Sequence, residues 1–339
     1  MKEIHKALAV FFVATAFFVP YFLKTWLIGY DSYYYLQEWD IGSNIFGAKI
    51  LLFAMLCAAS LSIALLGYSI NKKTGWIAGI LVFLSPVFLQ EFLKLETEAI
   101  AFPILFTSLF FFTKKGQWNK IIGAVFVSTA AFFWLPSITW LMPASFLFPL
   151  LSFFWIPLIP LGINNLGYFL PHAVQESFAP MQGVTFHWGL LFFGVMGLAI
   201  VYKKKEWQNI KPLFPFFAVF CVMAGLNGKF GVFLAPLLAV FAANAWEQFG
   251  AHWKRIAAYF LVASVFASGF SIVYLHEPTD QQIAQVQQAV LDANEWVICN
   301  DWSYGHIIEY FGGKAIAKAG GLQPKCTIEC PGCPTFFPT

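Results

Sequence analysis

Long apolar runs, separated by short polar segments, form the main pattern of the chain. Runs at about 7–28 and 44–70 have the roughly 17–25 residues that an α-helix needs to cross a bilayer. Further runs predict spans at about 75–93, 99–113, 212–226 and 256–275, and two more that end near Tyr202 and before Glu247. The pattern predicts a polytopic α-helical membrane protein.

The middle of the chain, from Lys120 to Pro171, is apolar but rich in proline. Proline kinks a membrane helix because it removes a backbone donor, so this stretch predicts three short or kinked spans. The total is then about eleven spans, or about nine if the stretch crosses only once. A polar loop, Pro171–His187, follows it. The interrupting prolines are Pro136, Pro143, Pro149, Pro157 and Pro160.

Composition agrees with this class, since 59% of the 339 residues are hydrophobic and only 11% are charged, about half the charged fraction of a soluble domain. Most of the cations fall on one side of the predicted spans, which the positive-inside rule makes the cytoplasmic side. We therefore expect a multi-pass protein of the cell (plasma) membrane with a cytoplasmic N-terminus. We expect no nucleic-acid partner, because no basic cluster is interleaved with exposed aromatic residues outside the short membrane loops. The sorted cations are Lys2, Lys6, Lys72, Lys73, Lys114, Lys115, Lys120, Lys203–Lys205, Lys211, Lys254 and Arg255.

The opposite, external side receives the candidate functional residues. Asp31 follows the first span in the stretch Asp31–Leu36, where it could also be an ordinary loop acid within an interfacial aromatic belt. Glu96 and Glu98 open the fourth span, and two carboxylates at a membrane edge are costly to bury without a cation. Their oxygens suit Mg²⁺ or Mn²⁺, although a solvated helix N-terminus also favours acids.

Two more external residues are candidates. Glu176 lies in the loop Pro171–His187, and loops between rigid elements often carry function, although a lone Glu in a loop is usually just solvated. Lys229, beside Phe230, could hold a phosphate or could merely extend its ammonium to the membrane interface. The residues by themselves leave both alternatives open.

Taken together and in order, these features resemble the catalytic subunit of oligosaccharyltransferase, of the archaeal AglB and bacterial PglB type, in the GT-C glycosyltransferase superfamily. The family's first external loop often carries Asp-Pro-Tyr-Tyr, to which Asp31–Tyr34 is similar. Its Asp-x-Asp pair resembles Glu96–Glu98, and its Ser/Thr-Val/Ile-x-Glu motif resembles Ala173–Glu176. Its Arg-Phe pair is similar to Lys229–Phe230, and its Trp-Trp-Asp-Tyr-Gly motif to Asp301–Gly305.

The resemblance implies a metal-dependent transferase with a GT-C-like fold and an external active site. It implies a Mn²⁺ or Mg²⁺ site formed by Asp31, Glu96, Glu98 and Glu176. Asp31 and Glu176 would be catalytic, because they would also hydrogen-bond the acceptor, and Lys229 would bind the donor phosphate. The implied acceptor-binding residues are Trp302, Ser303, Tyr304 and Gly305.

The same resemblance implies the partners: a polyprenyl- or dolichyl-linked glycan donor, an acceptor polypeptide and membrane lipid, with one subunit sufficient for activity. This sequence departs from the family where Asp301 replaces the first Trp and Ser303 replaces the Asp, which leaves the acceptor motif open. We expect a multi-span GT-C-like domain at 1–275 and a small external C-terminal domain at 276–339, truncated relative to the family.

Within this C-terminal tail, Gln282–Leu291 has apolar residues at helical spacing and predicts an amphipathic helix. Short strands at Trp296–Cys299 and Lys314–Ala319, with a helix at His306–Phe311, predict a small α/β cap. Its four cysteines favour disulfides on the exported side, although the spacing of three of them also allows a zinc site. They are Cys299, Cys326, Cys330 and Cys333.

Other functional classes remain open. One is a GT-C transferase that moves a monosaccharide from a polyprenyl phosphate to a lipid or Ser/Thr acceptor; Glu176 and the pair Tyr304–Gly305 favour oligosaccharyltransferase over it. A non-catalytic transporter or scaffold is another. Transporters keep functional charges near the bilayer midplane, whereas these acids are predicted at the external rim.

Overall fold

The computed structural model describes residues 2–40, 44–152, 188–203, 208, 210–226, 228–274, 278–293, 297–300, 304–315 and 335–336. This part of the chain is mostly helical, as predicted. Its α-helices are α1 (Lys2–Phe22), α2 (Asp31–Glu38), α3 (Ile45–Ile70), α4 (Ala78–Leu81), α5 (Pro86–Gln90), α6 (Thr97–Thr113), α7 (Gln117–Phe133), α8 (Leu141–Ser145), α9 (Trp188–Lys203), α10 (Phe214–Leu226), α11 (Leu234–Asn244), α12 (Ala251–Tyr274), α13 (Asp280–Ala293) and α14 (Gly305–Tyr310).

Short 3₁₀ helices and three strands complete the described elements. The strands are β1 (Val297–Asn300), β2 (Lys314–Ala315) and β3 (Thr335–Phe336). The 3₁₀ helices are Gly75–Ile77, Val82–Leu84, Leu135–Trp140, Pro149–Leu151, Lys211–Leu213, Gly228–Phe233 and Trp246–Gln248.

Two described helical segments have the length and apolarity needed to cross a membrane, His5–Phe22 within α1 and Ile45–Ile70, which is α3. The predicted spans at 44–70 and 99–113 agree closely with α3 and α6. The predicted span at 75–93 is instead broken into short helical pieces. The break falls at Ser85, which is extended because it precedes Pro86, and its hydroxyl then accepts the backbone N–H of Phe88 to start α5.

The chain forms two compact units. The first contains Met1–Phe17, Ala54–Glu91 and Thr97–Ser268. Its aromatic core surrounds the fully buried Trp140, whose ring lies 4.8 Å from that of Phe220 and 5.1 Å from that of Phe233. Such edge and tilted arrangements are the favourable geometries for aromatic pairs.

Helices α9 and α11 of this unit approach so closely that backbone touches backbone. A Cβ added at Gly197 would lie 2.4 Å from the carbonyl oxygen of Phe241, and one at Gly194 would lie 2.7 Å from Leu238 Cδ2. Small residues allow this approach, which is how helices associate where water does not drive packing. These glycines are therefore part of the contact itself.

The second unit contains Phe18–Phe53, Phe92–Glu96 and Gly269–Thr339. Its tail holds a small parallel sheet in the order β2-β1-β3, with Val297 opposite Lys314 and Cys299 opposite Thr335. The tail helix α13 buries Ile283 and Val286, the apolar face that the sequence predicts. The predicted domain boundary at 275/276 stays a prediction.

Helix α13 starts two residues before the predicted Gln282 because Thr279 caps it. The Thr279 hydroxyl accepts the N–H of Gln282 at 3.2 Å, and the Gln282 side-chain oxygen accepts the N–H of Thr279 at 2.9 Å. This reciprocal pair is a capping box. At the other predicted tail helix, α14, Gly312 takes a positive φ of 85° and ends the helix.

The predicted disulfides of the tail, and the alternative zinc site, stay predictions. Cys299 lies in β1, but its side chain is outside the described part, and so are Cys326, Cys330 and Cys333. Cys57 and Cys221 have free thiols.

We predict that Gly197→Ala lowers the thermal unfolding midpoint of the purified protein, because the new Cβ forces α9 away from α11. Overpacking of this kind costs about 1–3 kcal/mol. Gly189→Ala on the same helix is the matched control, since its Cβ would meet nothing nearer than 3.5 Å. There, better helix propensity should leave the midpoint equal or slightly higher. Equal midpoints for the two variants would contradict the close approach.

We also predict that Thr279→Ala speeds amide hydrogen exchange in the first turn of α13. Loss of an N-cap costs about 1 kcal/mol, which corresponds to about fivefold more frequent opening. Thr129→Ala is the control, because the Thr129 hydroxyl bonds only to the Val125 carbonyl of its own helix. Unchanged exchange over 280–284 would show that the capping box does not hold the helix start.

Candidate active site

The first candidate residue, Asp31, begins α2 and is half-buried. It follows Gly29, whose positive φ of 86° lets the chain turn into the helix. A Cβ at Gly29 would lie 3.1 Å from Lys94 Cγ, so a side chain here would press on the segment Phe92–Glu96. Gly29 therefore allows both the turn into α2 and the close approach of the Lys94 side chain.

The segment that carries Glu96 is held beside the segment that carries Asp31. Ile28 and Lys94 form a parallel backbone bridge. The Ser32 hydroxyl accepts the N–H of Leu95 at 2.8 Å and donates to the carbonyl of Ile28 at 2.6 Å. These contacts join two stretches that are more than sixty residues apart in the sequence. The structure therefore brings the Asp31 and Glu96 segments together, and the shared site stays a prediction.

The two glutamates of the predicted acidic pair are both buried, with 6% exposure for Glu96 and 5% for Glu98. Lys94 Nζ lies 3.8 Å from a carboxylate oxygen of Glu96, within the second unit. In the first unit, Glu98 occupies the first turn of α6, and its carboxylate accepts a hydrogen bond from the Thr97 hydroxyl at 3.1 Å. Buried carboxylates require compensating partners, so the solvated-terminus alternative does not describe them.

The tail motif lies against the same loop. The Tyr30 hydroxyl donates to the Tyr304 hydroxyl at 3.3 Å, with ring centroids 5.1 Å apart. The ring of Tyr34 is 4.9 Å from that of His306, two residues further along. Gly305 is buried at the start of α14. The second unit thus places the Asp31 loop against the Tyr304–Gly305 half of the predicted acceptor motif.

A tyrosine pair, with Tyr33 buried and Tyr310 half-buried, completes this contact. Tyr33 and Tyr310 pack edge to face at 5.3 Å. Burial raises the pKa of the Tyr33 hydroxyl, and it also raises the pKa of Tyr310. A tyrosine hydroxyl is neutral at physiological pH in any case, so neither residue needs a counter-ion in this contact.

Other predicted site residues lie outside the described part of the structure. These are Glu176, Trp302 and Ser303. Lys229 is described only in its backbone, as part of the 3₁₀ helix Gly228–Phe233. Their predicted roles stay predictions.

Several polar residues of the second unit were missed by the sequence reasoning. Lys49 is 1% exposed, donates its ammonium to the carbonyl of Lys24 and lies 4.9 Å from the ring centroid of Tyr21. Lys24 in turn pairs with Asp280 of α13 at 3.2 Å. A lone lysine inside the apolar run 45–70 was the available signal, because a charge within such a run is costly unless it is partnered.

Carboxylates are ligands that hard divalent cations prefer. Among the residues that the structure describes, no group of three or more His, Cys, Asp or Glu side chains is arranged to hold a metal ion. Of the predicted ligands, Asp31 and Glu96 belong to the second unit, whereas Glu98 belongs to the first. The ligand set therefore stays a prediction.

Three solved structures of the oligosaccharyltransferase of Archaeoglobus fulgidus are similar to this chain. The apo form has a TM-score of 0.66 and 12% identity, over 93% of this chain and 64% of that one. The archaeal enzyme AglB in complex with an inhibitory peptide and a dolichol-phosphate has a TM-score of 0.64 and 13% identity, over 94% and 64%. The complex with Zn and sulfate has a TM-score of 0.63 and 14% identity, over 93% of this chain and 62% of that one.

No protein-family model matches the sequence, and no curated protein matches it significantly. The chain spans somewhat less than two thirds of the length of the solved chains. The shared feature at these low identities is the course of the backbone over nearly the whole of this chain. The chain therefore has an oligosaccharyltransferase-like fold, the fold that its sequence motifs predict.

Proposed function

We propose that this protein is a membrane glycosyltransferase that moves a glycan from a polyprenyl (dolichyl-type) phosphate or pyrophosphate to an asparagine of a polypeptide. One observation carries the proposal: a chain with the oligosaccharyltransferase-like fold holds the Asp31 and Glu96 segments together through direct backbone and side-chain contacts. One of the similar solved structures, AglB, contains a dolichol-phosphate and an inhibitory peptide, the two substrate classes proposed here.

The proposed setting is the cell membrane. We propose about eleven spans, a cytoplasmic N-terminus, and an external active site and C-terminus. The sorting of the cations to one side of the apolar runs supports this orientation. The two long apolar helices, α1 and α3, are long enough to supply the first two spans.

The proposed metal ligands are Asp31, Glu96, Glu98 and Glu176, with Mn²⁺ or Mg²⁺ as the cation. Carboxylate oxygens are the ligands that these ions prefer, and each glutamate is buried, where a carboxylate needs a compensating charge or hydrogen bond. A bound divalent ion would supply Lewis-acid stabilisation of the phosphate leaving group. We propose that a single subunit is sufficient.

The other roles belong to the side chains of this chain. Asp31 and Glu176 would accept hydrogen bonds from the acceptor amide and orient its nitrogen toward the anomeric carbon. Lys229 would hold the donor phosphate as a point charge, without the two-pronged geometry that an arginine gives. The acceptor would be bound by Trp302, Ser303, Tyr304 and Gly305.

A different acceptor is the second candidate function. Tyr304 is 4% exposed and its hydroxyl is engaged with Tyr30, while Ser303 stands where the resembling family has Asp. The change at position 303 leaves the acceptor open, and the alternative is a GT-C transferase that uses a polyprenyl-phosphate monosaccharide with a lipid or Ser/Thr acceptor. Donor cleavage without peptide transfer would identify that case.

We predict that the purified protein transfers labelled glycan from a polyprenyl-linked donor to an Asn-x-Thr peptide in Mn²⁺. EDTA should abolish transfer, and Asp31→Ala should reduce its rate by at least about 100-fold, because the metal and its ligand stabilise charge in the transition state. Asp292→Ala is the control, since Asp292 is an exposed acid on α13 that bonds only within its helix. Full activity in EDTA, or with Asp31→Ala, would refute the metal-dependent mechanism.

We also predict that a peptide with Asn-x-Thr is preferred over Asn-x-Ala by up to about tenfold, the value of one neutral hydrogen bond. The Ser303 hydroxyl can donate or accept this bond. Ser303→Ala should therefore remove the preference while leaving donor cleavage intact. A preference that persists in Ser303→Ala would assign the hydroxyl contact to another residue.

A further inference from the structure

The hydroxyl of Ser32 makes two hydrogen bonds of opposite sense in a fully buried position. It donates to the carbonyl of Ile28 at 2.6 Å and accepts the N–H of Leu95 at 2.8 Å. A serine hydroxyl has one donor and two acceptor positions, so it can serve both backbone groups at once. Few side chains of this size could replace it.

Each of these contacts lies next to a proposed metal ligand. Asp31 directly precedes Ser32, and Glu96 directly follows Leu95. The N–H of Glu96 donates to the carbonyl of Lys94 at 3.0 Å, and Lys94 forms the backbone bridge to Ile28. The relative position of the two carboxylate-bearing backbones therefore depends on a short closed set of contacts with Ser32 inside it.

A serine at position 32 makes a contact that residues without a hydrogen-bonding side chain could not make. The family that the chain resembles often has proline after the first-loop Asp, and proline has no side-chain hydroxyl. Here the hydroxyl provides a link to the Glu96 segment that a proline side chain could not make.

We propose that Ser32 is a positioning residue that sets the spacing between Asp31 and Glu96 for divalent-cation binding; this inference rests on the proposed function. Ser32 does not touch the metal or the substrates in this proposal. It acts on two ligands through their adjacent backbone, as partners outside the ligand set commonly do. Loss of such a partner typically lowers metal affinity about 10–100-fold.

The test measures Mn²⁺ binding to the full-length protein in lipid nanodiscs by electron paramagnetic resonance, in the wild type and in three Ser32 variants. Ser32→Thr keeps the hydroxyl, Ser32→Cys replaces it with a weaker donor and acceptor, and Ser32→Ala removes it. The Cys variant fills a similar volume and keeps the series informative if the Ala variant does not fold. Ser60→Ala is the matched control, because Ser60 is equally buried but bonds only to Leu56 of its own helix.

We expect Mn²⁺ affinity to fall in the order Thr, Cys, Ala, with about a 10–100-fold loss for Ser32→Ala and none for Ser60→Ala. The spectrum of bound Mn²⁺ should change in the same order, which a loss of stability alone would not produce. Hydrogen exchange of the Leu95 amide, followed in parallel without metal, should speed up in Ser32→Ala and stay slow in Ser32→Thr.

Two results would overturn the inference, and they are distinguishable. If the wild type binds Mn²⁺ and Ser32→Ala binds it equally well with the same spectrum, the positioning role is wrong while the proposed function stands. If the wild type binds no Mn²⁺, the metal-dependent function fails, and the positioning role fails with it.

Discussion

The segment between α1 and α2 must satisfy its backbone hydrogen-bonding groups without a helix or sheet of its own. In an apolar protein such groups are costly when unpaired, and irregular backbone survives only where protein groups or water complete it. Side chains from several parts of the second unit do so here. The Ile28 N–H donates a hydrogen bond to the Tyr21 hydroxyl at 3.2 Å, and the Ser32 hydroxyl donates one to the Ile28 carbonyl. The Lys49 ammonium donates a hydrogen bond to the Lys24 carbonyl.

This requirement also explains why the candidate residues meet. The backbone of residues 24–32 is completed by contacts with α3 and with the segment Phe92–Glu96, so the loop cannot form without bringing Glu96 near Asp31. Lys24 extends the same network to Asp280 of the tail helix. The proposed chemistry therefore depends on a loop that is stabilised by contacts with its neighbours as well as by its own hydrogen bonds.

Glu96 and Glu98 are both buried, so each carboxylate charge must be neutralised or hydrogen-bonded within the protein. A buried carboxylate is destabilising without a partner, and Lys94 supplies one for Glu96. A protein selected only for stability could place apolar residues there at similar volume. Glu96 and Glu98, two residues apart in the sequence, each have a partner within the chain, Lys94 for Glu96 and the Thr97 hydroxyl for Glu98, and their role in cation binding stays a proposal.

Apolar periodicity and length determined much of this protein from the sequence: the helical class, the bounds of α3 and α6, the amphipathic tail helix, and, through the motifs, the GT-C-type fold. These features follow from local physics, since a run of apolar residues with satisfied internal hydrogen bonds is helical wherever it lies. The proline at the break Ser85–Pro86 was also a local signal, and the predicted span at 75–93 did not take it into account. Only the tertiary structure showed the roles of Ser32, Lys49 and Tyr30, because each acts on residues far away in the sequence, and no local pattern distinguishes a serine that joins two segments from one that bonds to its own helix.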